Sequence, residues 1–266
     1  MPEQPEGFRE LAGPGAPSGL FDLTGRVALV TGGSRGLGRE MVLAFAEAGA
    51  SVVITSRRVE ACRELAREVS ERTGRAALAY GCHMGRWDEL DGLVEAAYER
   101  FGQVDVLVNN AGMSVPYDRP TDVTEKMWDS VVGLNLKGPF RLTALIGSRM
   151  AEQSGGSIIN VSSTGSIRPT PGILPYAAAK SGLNALTEGF ARAFGPTVRV
   201  NCLMAGPFFT DVSKAWDLPA VEQSLQQHAL RRGGRPEEII GAALFLASDA
   251  SSYTTGAILR ADGGIP

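Results

Sequence analysis

The chain has 266 residues, 44% of them hydrophobic and 21% charged, which are ordinary proportions for a globular protein able to bury a large core without staples. A net charge of −3 disfavours a nucleic-acid footprint, and no apolar run approaches the roughly 18 residues of a membrane span. Three scattered cysteines (Cys62, Cys82, Cys202) suit reduced thiols in the cytoplasm, and Cys82-His83 has no second Cys/His pair at zinc spacing, so no metal is expected.

The first 19 residues are rich in Pro, Gly and Glu and read as a flexible tail, leaving 20–266 as one domain. From there apolar runs alternate with helical stretches. RVALV (26–30), SVVIT (51–55), AALAY (76–80), VDVLV (104–108), SIINV (157–161), VRVNCL (198–203) and GAILR (256–260) read as seven buried strands. Between them, 36–50 places Met41, Phe45 and Ala48 on one helix face, and 58–74 spaces Cys62, Leu65, Ala66 and Val69 similarly. A third stripe runs from Trp87 to Phe101. A long helical segment, 122–150, is expected to start on Asp122 and Glu125 as N-cap and N3, and to bend or break at Pro139. Further helices are expected over 176–194 and 236–249. Such alternation predicts an α/β, doubly wound Rossmann fold: a seven-stranded, mostly parallel sheet with helices on both faces. Ligands of these folds bind at the carboxyl ends of the strands.

After the first strand comes TGGSRGLG (31–38), in which Gly32, Gly36 and Gly38 would let a pyrophosphate approach the backbone and a helix N-terminus. The second strand ends Thr55-Ser56-Arg57-Arg58 with no carboxylate before Glu60, so the usual acid for a ribose 2′-hydroxyl is missing. Arg35, Arg57 and Arg58 instead suit a 2′-phosphate, which predicts NADP(H). The plainer reading of Arg57 and Arg58 is a pair of solvated helix-start residues. PYAAAK (175–180) sets Tyr176 and Lys180 four apart, on one helix face, in a chain with four lysines and five tyrosines.

TGGSRGLG, NNAG (109–112), Asn135, Ser163, Tyr176-x-x-x-Lys180, Asn201 and AGPFFT (205–210) together resemble the short-chain dehydrogenase/reductase family over about 21–264. The opening LTGRVALVTGGSRGLG is similar to its compact branch of 3-oxoacyl carrier-protein reductases and gluconate 5-dehydrogenases. The resemblance implies a catalytic tetrad of Asn135, Ser163 (with Ser162 as runner-up), Tyr176 and Lys180. It implies cofactor contacts from Gly32, Ser34, Arg35, Gly36, Leu37, Gly38, Arg57, Arg58, Met84, Asn110, Ala111, Gly112, Tyr176, Lys180, Gly206, Phe208 and Thr210. Tyr176 would be acid/base, Lys180 would lower its pKa, Ser163 would polarise a carbonyl, and Asn135 would support a water path to Lys180. It also implies a homo-oligomer, tetramer or dimer, with 122–150 and 176–194 at one interface.

Two positions depart from the family pattern. His83-Met84 stands where Asp-Val is common, which puts a side-chain contact to adenine in doubt. Ala205-Gly206-Pro207 replaces the common Pro-Gly. A small carbonyl or alcohol substrate is expected against Ile167, Pro171, Ile173, Leu174, Phe208, Phe209, Trp216 and Leu218, with an insertion at 207–232 either covering the site or simply packing onto the body. Arg168 or Lys214 would meet an acid group, or merely face solvent. The rival class is a nucleotide sensor that keeps the fold without turnover, for which Tyr176 has no use.

Overall fold

The computed structural model describes residues 17–211, 213 and 218–266; most of the expected tail, Lys214 and Trp216, and the side chain of Leu218, lie outside the described residues. Seven strands, β1 (Val27–Thr31), β2 (Ser51–Ser56), β3 (Ala77–Gly81), β4 (Val106–Asn109), β5 (Gly156–Ser163), β6 (Val198–Ala205) and β7 (Ile258–Ala261), form one sheet in the order β3-β2-β1-β4-β5-β6-β7. Every pairing is parallel. The chain winds outward from β1 to β3, then returns to β4 beside β1 and winds the other way. Loops leaving β1 and β4 therefore diverge, and the crevice between them is the natural ligand site.

Strand alternation divides the core in two. Ala28 and Val30 of β1, Val106 and Val108 of β4, and Ile159 of β5 pack beneath α1 (Gly36–Glu47), α2 (Val59–Thr73) and α8 (Ile240–Ala247), with Met41, Phe45, Leu65 and Leu246. Val27, Leu29, Leu107 and Ile158 face the other way, onto α3 (Glu89–Phe101) and α5 (Gly138–Glu152), with Leu90, Leu142 and Ile146. Burial on both faces is why these strands read as continuous apolar runs.

The segment expected over 122–150 is two helices. α4 (Glu125–Val132) is capped by Thr124, whose hydroxyl accepts from the Met127 amide at 3.2 Å, so Asp122 and Glu125 are not the capping pair. Asp122 instead accepts from the Arg119 amide at 3.1 Å, closing a short turn one residue too early. The interruption falls before Pro139. Residues Gly133–Lys137 form a π turn that keeps helical backbone angles into α5, so the chain changes hydrogen-bond register there without leaving the helix, and Pro139, which has no amide to give, follows directly in the first turn of α5.

α6 (Leu174–Phe194) lies against β5 and β6 and is locked there by buried polar groups. Asn109 Nδ2 donates to Thr143 Oγ1 (3.0 Å) and Asn160 Oδ1 (2.9 Å), and Asn160 Nδ2 donates to Thr187 Oγ1 (3.0 Å). This chain ties β4, β5, α5 and α6 at one height. Asn160→Ala should cost roughly 2–6 kcal/mol of stability, because two buried partners lose a bond at about 1–3 kcal/mol each. Urea unfolding measures this; a loss under about 0.5 kcal/mol would mean that the chain does not hold α6.

Candidate active site

A single cavity of about 1380 Å³ runs along the carboxyl ends of the strands. Every residue expected to touch a cofactor lines it, from Gly32 and Arg57 to Tyr176 and Thr210. Its floor is the switch point. Thr31 Oγ1 donates to the Val108 carbonyl (3.2 Å) and accepts from the amides of Asn110 and Ala111 (3.0 Å each). Asn110 Nδ2 in turn donates to the carbonyl of Thr31 at 2.8 Å. Thr31 thus stitches the ends of β1 and β4 together, a role the sequence reading did not give it.

Over this floor the glycine loop turns through left-handed backbone at Gly32 (φ 63°) and Gly36 (φ 53°). A side chain on Gly38 would run into the carbonyl of Gly32 and come within 2.6 Å of Asn110 Nδ2, so α1 could not start this close to the strand. The N-cap of α1, Arg35, makes no side-chain cap, which leaves the amides at that end for an anion. Ser34 Oγ donates to Ser56 Oγ at 3.0 Å, joining the loop to the end of β2, where Arg57 and Arg58 stand exposed on the cavity wall. Bare backbone, free amides and arginines at one end of a long cavity fit a nicotinamide dinucleotide.

Arg35 is engaged, however: its Nη1 donates to Asp211 Oδ2 at 2.7 Å. His83 is not part of the wall. Its Nδ1 accepts from the Gly85 amide at 3.1 Å, and Cys82 and Met84 line the cavity on either side of it.

At the other end, alternation along β5 separates the two candidate serines. Ser162 turns toward α6 and donates to the Lys180 carbonyl at 3.3 Å. Ser163 turns into the cavity on the Tyr176 side and accepts from the Gly165 amide at 3.1 Å. Lys180 lies one turn further along α6, 3% exposed, with Nζ donating to the Val161 carbonyl at 2.7 Å and 5.8 Å from the Tyr176 ring centre. It forms no ion pair among the described residues. Burial lowers its pKa from 10.5 to about 8, opposed only by neighbouring Cys202. Tyr176 does not follow the expectation of a lowered pKa. Burial pushes the phenol above its usual value, and the Ser163 hydrogen bond only partly offsets this. Removing the phenolate's hydration is the larger effect, and the expected lowering also counts on the positive charge of a bound nicotinamide.

Asn135 stands behind this group in the π turn, fully buried and off the cavity wall. Its Nδ2 donates to the carbonyls of Val131 and Met113 (2.8 Å each), while Oδ1 has no partner. A Cβ on Gly112 would sit 2.8 Å from that oxygen and 3.6 Å from Lys180 Nζ, so Gly112 keeps the space between them clear.

Most described residues of the expected substrate wall lie elsewhere. Ile173 and Phe208 line the cavity; Ile167, Pro171, Leu174 and Phe209 do not. Val221, Leu225 and His228 from the 207–232 segment, and Ile265, take their place. His228 is buried, with Nδ1 facing the Asp262 carbonyl at 3.3 Å. Its place depends on a pairing with the chain's end that local sequence does not show. Among the described residues no cluster of three His, Cys, Asp or Glu gathers, and no helix is long and apolar enough to cross a membrane.

The buried ammonium gives a sign that can be checked. A lysine whose pKa falls on folding carries a penalty below about pH 8, and this fades as pH rises to 10.5 and the unfolded chain also loses its proton. Lys180→Met is therefore expected to be more stable than the parent at pH 7, by roughly 1–3 kcal/mol after the lost hydrogen bond. The gap in urea unfolding should shrink between pH 8 and 10.5; a constant gap or a destabilised variant contradicts the assigned burial cost.

Comparison with known proteins agrees with this geometry. Residues 32–266 match a family model described as enoyl-(acyl carrier protein) reductase, within the short-chain dehydrogenases. The 3-oxoacyl-[acyl-carrier-protein] reductase FabG of Thermotoga maritima is 36% identical over 91% of this chain and 98% of its own. The crystal structure of an NADPH-dependent 3-quinuclidinone reductase from Rhodotorula rubra superposes with a TM-score of 0.91 at 30% identity, covering 98% of this chain and 99% of that one. A 7α-hydroxysteroid dehydrogenase solved with NADH and 7-oxo glycochenodeoxycholic acid gives 0.88 at 34%, covering 94% and 97%. With this sheet order and this similarity along nearly its whole length, the chain belongs to the short-chain dehydrogenase/reductase family and is an oxidoreductase acting on CH–OH groups.

Proposed function

We propose that the enzyme interconverts a small ketone and its secondary alcohol with NADP(H), using Tyr176 as acid and base. One observation carries this: two hydroxyls, Ser163 and Tyr176, meet beside a buried ammonium at one end of a cavity whose other end is a glycine loop flanked by arginines. The bound nicotinamide would supply or accept the hydride. The protein's part is the oxygen. Ser163 Oγ already accepts from the Gly165 amide, and its proton, directed at Tyr176 here, would turn to polarise a carbonyl oxygen once a substrate is bound. Tyr176, kept neutral by burial, donates its proton to that oxygen in reduction and recovers it in oxidation. Lys180 stands where it would replenish that proton, and Asn135 Oδ1 is an acceptor through which a water path would reach it.

NADP(H) is preferred on the evidence of Arg57 and Arg58, which form no ion pair among the described residues, and of Arg35 beside them in the cavity wall. The relatives include enzymes named or solved with either cofactor, so these side chains carry the argument. An oligomer built on α5 and α6 is supported by an aromatic run that reaches the surface there: Phe140, 40% exposed, meets the half-buried Phe190 at 5.4 Å, and Phe190 stacks on the half-buried Phe194 at 5.4 Å.

The test is NADPH and NADH oxidation with a panel of ketones: 3-oxoacyl thioesters, keto sugar acids and steroid ketones. Tyr176→Phe should lower kcat/KM at least about 100-fold on any ketone reduced; turnover that survives the substitution rejects the assignment. Arg35→Ala with Arg57→Ala should weaken NADPH binding roughly tenfold more than NADH binding, since paired guanidinium–phosphate bonds are lost only for NADPH. Equal losses reject the cofactor preference.

A further inference from the structure

Of the three arginines at the glycine-loop end of the cavity, Arg35 alone is in an ion pair among the described residues. Its partner Asp211 lies on the loop that follows β6, the opposite wall. The two loops touch: a Cβ on Gly36 would fall 3.5 Å from Thr210 and 3.7 Å from Asp211 Oδ1. Both side chains stay open to exchange, Arg35 50% and Asp211 39% exposed. A carboxylate thus sits inside an otherwise cationic end, on the guanidinium best placed in the glycine loop to receive a phosphate.

We infer that Asp211 tunes cofactor preference by competing with a ribose 2′-phosphate for the Arg35 guanidinium. The inference rests on the NADP(H) reading above. Exposed ion pairs are weak, whereas phosphate takes arginine through paired, charge-assisted bonds. A 2′-phosphate therefore displaces the carboxylate, but NADPH gives up the Arg35–Asp211 contact to bind and brings its phosphate toward an anion. NADH does neither. Asp211 accordingly narrows the preference that Arg35 confers. Both cofactors share the pyrophosphate, so repulsion acting there would weaken both alike and leave their ratio unchanged.

The experiment is a double-mutant cycle on the full chain, read by fluorescence titration of bound NADPH and NADH rather than by turnover. Asp211→Asn should tighten NADPH roughly two- to fivefold, the range an exposed ion pair allows, and leave NADH unchanged. Asp211→Glu, which keeps the charge, should hold the parental ratio. In an Arg35→Ala background, Asp211→Asn should no longer move the ratio. Equal tightening of both cofactors, or a ratio gain that persists without Arg35, overturns the competition. A ratio that responds to Arg35→Ala but not to Asp211→Asn removes only the role of Asp211. A ratio indifferent to Arg35→Ala also overturns the competition, whereas a parent chain that binds NADPH no more tightly than NADH strikes the NADP(H) reading itself.

Discussion

Because all seven strands run parallel, every loop that follows a strand leaves the sheet at the same edge. That constraint places the glycine loop, the NNAG turn, the Ser163 turn and the 205–211 loop around one cavity although they lie up to 180 residues apart. The reversal between β1 and β4 keeps the cavity from closing, and Thr31 sets its floor by holding both strand ends. The sheet decides where chemistry happens; only side chains at its edge decide which chemistry.

At that edge the fold accepts groups that weaken it. Lys180 is buried without a carboxylate, Asn135 keeps an acceptor without a donor, and Tyr176 lies where its ionised form is disfavoured. Each is costly alone. They persist because the Asn109–Asn160–Thr187 chain and the two apolar layers over-determine the position of α6. Stability spent around Lys180 leaves an amine whose pKa, about 8, lies near neutrality, where a proton is readily given and regained. Arginine would not serve: its guanidinium stays protonated at any working pH.

What was legible in the sequence was local. Strand runs bounded by glycine, the helix stripes, and the Tyr176–Lys180 spacing all show within a few residues of chain, and each lies where expected. What was not legible depends on partners far along the chain. Arg35 reads as a free phosphate ligand until Asp211, 176 residues later, is brought to 2.7 Å from it. His228 enters the cavity wall because its turn pairs with the chain's end, through the Leu230 amide on the Gly263 carbonyl at 2.9 Å. The Asp122–Glu125 cap failed for a smaller reason: Thr124 stands closer to the helix, and its hydroxyl satisfies the orphan amide first.

Pro175, one residue before the phenol, shows how the two scales meet. It lies buried in the first turn of α6, where the missing amide is one the helix would leave unpaired anyway. The neighbouring Leu174 amide is satisfied from outside, by the Tyr117 hydroxyl at 2.8 Å. A tyrosine from the loop after β4 thus caps the helix that carries Tyr176. With the first turn fixed by a ring and a cap, Tyr176 has little freedom left except rotation of its own side chain. The backbone that carries the phenol is therefore fixed in folding, so that the cost of ordering it is not met again when a ligand enters the cavity.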